Sequence, residues 1–163
     1  MKAYVIYESA FGNTRQLAEA IAAGLGDAVT VDVRDVDTEQ LADSDLVVLG
    51  GPTHAFSMSR PATRREALHQ GGIASDEQRG IREVIAHLAP KVETPVATFD
   101  SRIYKSRKLP GSAARAASHA LRRRHRARVV AEESFYVEDT TGPLVEGELE
   151  RAESWGRELA ART

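Results

Sequence analysis

The feature that most restricts this chain is the alternation of short β-branched and aromatic runs with helical stretches. Residues 2–8, 46–51 and 95–99 are compact, almost wholly apolar runs of strand length. Runs of this kind fit strands buried on both faces of a sheet. Between them lie segments with helical spacing. Leu17, Ile21 and Leu25 recur every fourth residue over 15–25, with Ala18 and Ala22 beside them and Gly26 at the stop. Strand followed by helix, repeated along a chain, predicts an α/β fold with a parallel sheet and right-handed crossovers.

The remaining segments fit this scheme. Valines alternate with Thr30 and Asp32 over 29–33, a pattern for a strand open on one side and so at an edge. One helical turn is expected over 37–42 and a helix over 61–69, where Pro61 suits a first turn. Ser75-Asp76-Glu77-Gln78 has capping-box spacing before a helix that carries Ile81, Val84, Ile85 and Leu88. An alanine-rich helix over 111–124, a fifth strand over 128–137 and an amphipathic helix over 147–161 complete the chain. Leu149, Ala152, Trp155 and Leu159 are expected to face inward on that last helix. At 163 residues one domain over 1–163 is expected. The exposed second strand selects the order 2-1-3-4-5, whose ligand crevice opens beyond the C-terminal ends of strands 1 and 3.

Composition narrows the chemistry. The chain has no cysteine, so disulfides, thiol redox and cysteine-ligated metals are excluded, and any electron transfer needs a bound cofactor. His54 has no metal-ligand partners at suggestive spacing, so no metal site is expected. There is neither a membrane-length apolar run nor a signal-peptide pattern, which sets the expectation of a cytoplasmic protein with no membrane span. The net charge of −2 conceals a strong asymmetry. Residues 101–131 hold ten Lys or Arg and no acid, against 12 basic and 24 acidic residues elsewhere. That stretch is either a solvated helix face or a docking surface for an acidic protein or anionic ligand. No nucleic-acid motif accompanies it, and nucleic acid is not an expected partner.

Three segments fall at the expected crevice. The first is Ser9-Ala10-Phe11-Gly12-Asn13-Thr14, where strand 1 turns into the first helix. Two hydroxyls, a glycine that permits close backbone approach and a helix N-terminus converge there, as a phosphate requires. The second is Gly50-Gly51-Pro52-Thr53-His54-Ala55-Phe56 after strand 3. The third is Phe99-Asp100-Ser101-Arg102-Ile103-Tyr104, read as a loop beyond strand 4.

The first segment resembles the flavin mononucleotide (FMN) phosphate loop of flavodoxins, [ST]-x-[ST]-G-x-T. Ser9, Gly12 and Thr14 match, and Phe11 stands where a hydroxyl residue is usual. The second resembles the G-x-P-T loop of flavodoxin-like FMN-dependent quinone reductases, which implies flavin contacts from Pro52, Thr53, His54 and Phe56. In the third, Asp100 and Ser101 with nearby Tyr104 are similar to the flavodoxin Asp-Ser and stacking tyrosine. Asp100 or its backbone would meet the pyrimidine edge, Tyr104 would lie on the ring, and Arg102 would favour negative charge on it. The resemblance implies a flavodoxin-like three-layer αβα sandwich with a five-stranded parallel sheet. It also implies an FMN-binding electron carrier that works between a reductase and an acceptor protein, as a monomer or small homo-oligomer. Two alternatives stay open: an FMN-dependent NAD(P)H or quinone oxidoreductase, and a flavin-free binding module. A phosphorelay receiver is disfavoured, because strand 3 ends in Gly50-Gly51 instead of an aspartate.

Overall fold

The computed structural model describes residues 1–26, 28–73 and 77–163. In chain order the elements are β1 (Ala3–Tyr7), α1 (Asn13–Gly24), β2 (Val29–Asp32), β3 (Leu46–His54), β4 (Ser57–Met58), α2 (Pro61–His69), α3 (Ile81–Ala86), β5 (Val96–Ile103), α4 (Ala113–His125), β6 (Val129–Val137) and α5 (Glu148–Arg162). The expected turn over 37–42 is a 3₁₀ turn at Gln40–Asp43.

The sheet runs β2-β1-β3-β5-β6 with every neighbouring pair parallel, which is the expected order. The edge strand β2 is the exposed alternating one. The fold is flavodoxin-like and α/β, with helices on both faces. Because successive side chains of a strand point to opposite faces, each central strand feeds two cores. Val5, Val48, Ala97 and Phe99 meet Leu17 and Ile21 of α1 and Ala152, Trp155 and Leu159 of α5. Ile6, Leu49 and Val96 meet Ile81, Val84 and Ile85 of α3 and Ala113, Ala117 and Leu121 of α4. Phe135 stands edge-on to both Phe99 and Trp155, at centroid distances of 6.4 and 6.0 Å. On α5 the inward face begins at Ala152. Leu149, expected inside, is exposed in the first turn.

Three differences from the sequence expectation bear on function. First, β3 runs on to His54 and folds back as β4, pairing Thr53 with Met58 and His54 with Ser57. The two-residue turn between them, Ala55 and Phe56, has φ of 47° and 61°. Such a left-handed turn ordinarily calls for Asn-Gly, so the sequence carried no hairpin signal. Second, β5 pairs with β6 as far as Ile103 with Val137. Asp100, Ser101 and Arg102 therefore belong to the sheet and not to a loop. Third, α3 begins at Ile81, and the Glu83 carboxylate accepts from the Gly80 N–H at 3.2 Å. The capping box expected from Ser75 and Asp76 lies outside the described residues.

Candidate functional site

The β1–α1 junction is shaped for an anion. Gly12 has φ of 89°, a left-handed conformation that lets the chain turn sharply into α1. Its N–H donates to the Ser9 hydroxyl oxygen at 3.1 Å, and its carbonyl accepts from Gln16 at 3.1 Å. The N–H groups of Asn13, Thr14 and Arg15 have no acceptor among the described residues, as expected for a helix start without a side-chain cap. No acidic residue occupies this first turn. Three oriented donors and the positive end of the α1 dipole thus stand uncompensated.

Hydroxyls complete the cradle. Ser9 accepts from Gly12, so its own O–H is free to donate elsewhere. Thr14 and Ser101 share one hydroxyl–hydroxyl bond of 2.9 Å, and whichever is the donor, the other O–H is left over. Asn13 is turned aside, its amide donating to the Thr141 carbonyl at 3.2 Å, which ties the loop after β6 to the start of α1. The Ile73 N–H donates to the Ala10 carbonyl at 2.7 Å and fastens the other side.

Above the cradle opens a cleft of about 280 Å³, near the lower bound for small-molecule sites. Ser9, Ala10, Phe11, Asn13, Thr14, Pro52, Thr53, His54, Ser101 and Arg102 all line it, and Gly12 shapes the turn beneath. Ten of the fourteen expected residues therefore converge on one cavity. Phe11 offers its ring where a hydroxyl was expected. His54 accepts from or donates to the Thr63 hydroxyl at 3.0 Å, and burial, helped by the charge of Arg64, lowers its pKa and favours the neutral ring. Arg102 is clamped by the Ser106 and Leu109 carbonyls at 2.8 and 3.0 Å.

Asp100, Tyr104 and Phe56, also expected at the site, do not line the cleft. Asp100 is fully buried beneath the cleft, and its Oδ2 accepts from the Ala114 N–H at 2.8 Å. It caps the N-terminus of α4, and burial pushes its carboxyl above the usual range. Tyr104 is exposed outside the cleft, edge-on to Tyr136 at 5.5 Å, with the Arg107 guanidinium 3.8 Å from its ring centroid. Phe56 points to the far side of the hairpin, where it is half exposed.

One wall of the cleft was missed entirely. Thr63, Glu66, Ala67 and Gln70 come from α2, with Thr140 from the loop after β6. The only sequence signal for α2 was Pro61, which marks a helix start but not the face turned to the cleft. A buried ionic cluster holds that helix in place. The Arg64 side chain, 3% exposed, donates to Glu83 at 2.5 and 2.6 Å, to the Glu77 carbonyl at 2.6 Å and to the Ser59 hydroxyl at 2.8 Å, with Glu8 at 3.4 Å. Glu8, the residue after β1, also accepts from the Ser59 hydroxyl and from the Ile81 N–H at 2.9 Å. The end of β1, the hairpin, α2 and α3 are thereby locked together behind the cleft. Among the described residues no three His, Asp or Glu side chains gather as metal ligands, and no helix is long and apolar enough to cross a membrane.

Residues 4–64 match the family model of the flavodoxin domain. The comparison with curated proteins found no match. Among solved structures, oxidised flavodoxin 2 from Bacillus cereus is similar with a TM-score of 0.68 and 19% identity, covering 100% of each chain. A flavodoxin from the domain Archaea gives 0.67 at 19% identity, over 99% of this chain and 98% of that one. The two-electron reduced flavodoxin of Megasphaera elsdenii gives 0.59 at 19% identity, over 96% and 98%. The family match is confined to residues 4–64, and the fold of the whole chain is flavodoxin-like.

Proposed function

We propose that the chain is an electron carrier that binds FMN noncovalently in the cleft above the β1–α1 junction. The observation that carries this reading is the set of unpartnered N–H groups of Asn13, Thr14 and Arg15, with no acidic side chain in the same turn. A phosphate monoester is the anion such a cradle suits. Ser9 and the Thr14–Ser101 pair offer two further hydroxyl donors toward it. Pro52, Thr53 and neutral His54 form one side of the space left for the ring system, Phe11 and Ala67 give it apolar surface, and Arg102 adds a fixed positive charge. When bound, FMN supplies one- and two-electron chemistry, which the protein's own side chains lack. The chain's part is to orient the flavin, keep one edge open to a redox partner and set the charge around it.

Titration of the purified chain with FMN tests this directly. One equivalent is expected to quench flavin fluorescence and shift its visible absorbance, and riboflavin, lacking the phosphate, is expected to bind more weakly. Unquenched flavin would remove the redox reading and leave a flavin-free binding module. Equal affinity for riboflavin would place the phosphate away from α1. A second reading, direct NAD(P)H:quinone oxidoreduction, is favoured by the unpaired cations of residues 101–131, which suit an anionic dinucleotide. Steady NAD(P)H oxidation with a quinone, with no partner reductase present, would support it over the carrier.

A further inference from the structure

On the opposite side of the β3–β4 hairpin lies a second, larger groove of about 610 Å³, between β4, α3 and α4. Helical spacing explains its shape. Arg115, His119 and Arg123 stand four residues apart along one ridge of α4, and Ala116, Ala120 and Arg124 form the next. The two alanines leave a trough between the cationic ridge and the hairpin. Phe56 and Met58 border it from the hairpin, and Arg82 enters from α3.

The cations of this groove lack ionic partners. Among the described residues Arg82, Arg115, Arg123 and Arg124 form no salt bridge, although every arginine that does pair on this molecule lies outside residues 101–131. Arg82 is fixed instead by carbonyls, at 3.1 Å to Ser59 and 2.8 Å to Met58. Glu83, whose charge acts on Arg82, is already engaged by Arg64. Burial and the neighbouring charges of Arg60, Arg64 and Arg124 depress the pKa of Arg82, the response of a cation crowded by others. The N-terminus of α4 is not the source of attraction. Its first N–H groups are bonded to the Thr53 hydroxyl at 3.0 Å, to Asp100 at 2.8 Å and to Ser112 at 3.3 Å.

The hairpin supplies the other half of the recognition surface. Ala55 and Phe56 both hold positive φ without being glycine, a conformation that costs energy at each residue. It turns the Phe56 ring away from the cleft and leaves it 52% exposed on the rim of the groove. An exposed aromatic face beside forked guanidinium donors matches a flat base joined to phosphates.

We propose that this groove is a nucleotide site, in which Arg82, Arg115, Arg123 and Arg124 take the phosphates of a nucleoside di- or triphosphate and Phe56 lies against its base. The site is separate from the cleft and stands whether or not FMN binds there. Calorimetric titration of the full chain with ATP, pyrophosphate and adenosine, each with and without saturating FMN, is the test. ATP is expected to bind more tightly than pyrophosphate or adenosine, with affinity that falls as salt rises and is unchanged by FMN. Arg115→Ala with Arg123→Ala is expected to weaken ATP by about tenfold or more, and Phe56→Ala to remove its advantage over pyrophosphate. Thr14→Ala, which alters only the cleft, is expected to leave ATP binding intact. No heat at millimolar ATP, or equal binding by the double variant, would overturn the site. ATP competing with FMN would place it in the cleft instead. Tighter binding of a polyglutamate peptide than of ATP would overturn the nucleotide assignment in favour of an acidic protein partner.

Discussion

The cleft over the β1–α1 junction and the groove beside α4 lie on either side of one hairpin, and they offer an anion opposite kinds of positive potential. The cleft uses backbone N–H groups of α1 and neutral hydroxyls, fixed before any ligand arrives. The groove uses long guanidinium side chains, because the amides at the start of α4 are already occupied by Thr53, Asp100 and Ser112. The difference lies in cost and range. Fixed dipoles lose no side-chain entropy on binding but act within a single turn, whereas arginines act further and lose rotamer freedom. A cradle of the first kind suits a resident cofactor, and one of the second kind a ligand that comes and goes.

Arg64 gives the largest expected effect, since its cluster supports the α2 wall of the cleft. Arg64→Met would leave Glu8 buried beside an unpaired site and should cost about 3–5 kcal/mol of stability, read from urea unfolding. FMN affinity is expected to fall with it. The groove should lose less, because its α4 ridge has no contact with Arg64 and Arg82 keeps the Met58 carbonyl. Loss of groove binding with an intact cleft would reverse the assignment of walls to sites.

Thr14→Ala comes next. Its hydroxyl is one of the few polar groups shared by the cradle and the sheet, through Ser101. FMN binding should weaken by about 1.5–3 kcal/mol, the worth of one hydrogen bond to a charged group. The Thr14 hydroxyl is neutral and acts only at hydrogen-bond distance, so the loss should be nearly the same at low and high salt. A strongly salt-dependent loss would show that the two sites do not differ in kind.

The contrast was only half visible in the amino-acid sequence. Strand order and the β1–α1 turn were legible because buried parallel strands are apolar throughout and because Ser9, Gly12 and Thr14 mark a strand-to-helix turn. The segment from Asp100 to Arg102 misled, since three polar residues in a row read as a loop. They are strand residues whose polar side chains serve the N-terminus of α4, the Thr14 hydroxyl and the carbonyls of Ser106 and Leu109. Phe56 misled for another reason. Its direction is set by two positive φ angles, which nothing in Ala-Phe announces. The α2 wall was illegible because long-range ion pairs between Arg64, Glu83 and Glu8 leave no periodic trace.

Asp100 is where the two regions meet, so its titration sharpens the comparison. Burial raises its folded pKa above the unfolded value. The folded chain therefore holds this proton more tightly, and the stability that follows is complete below about pH 4 and is lost as pH rises through the raised value. Asp100→Asn keeps an oxygen for the Ala114 N–H and removes the titration. It should flatten the decline of stability above about pH 4 in denaturation measured across pH. An unchanged profile would mean that Asp100 is not the group responsible.

Arg115→Glu should produce the smallest effect on stability, and its sign is the informative part. The first turn of α4 contains no acidic residue, and Arg115 stands one helical turn from His119 and two from Arg123. A carboxylate there would meet the favourable end of the helix dipole. Thermal unfolding should show a gain of about 0.3–1 kcal/mol. The same change would place a negative charge inside the groove and should abolish nucleotide binding there, while FMN binding in the cleft stays as it was. A more stable protein that has lost one ligand and kept the other would show that the arginines of α4 are held against the helix's own preference. A less stable one would make them structural, and the groove would lose its claim to be a site.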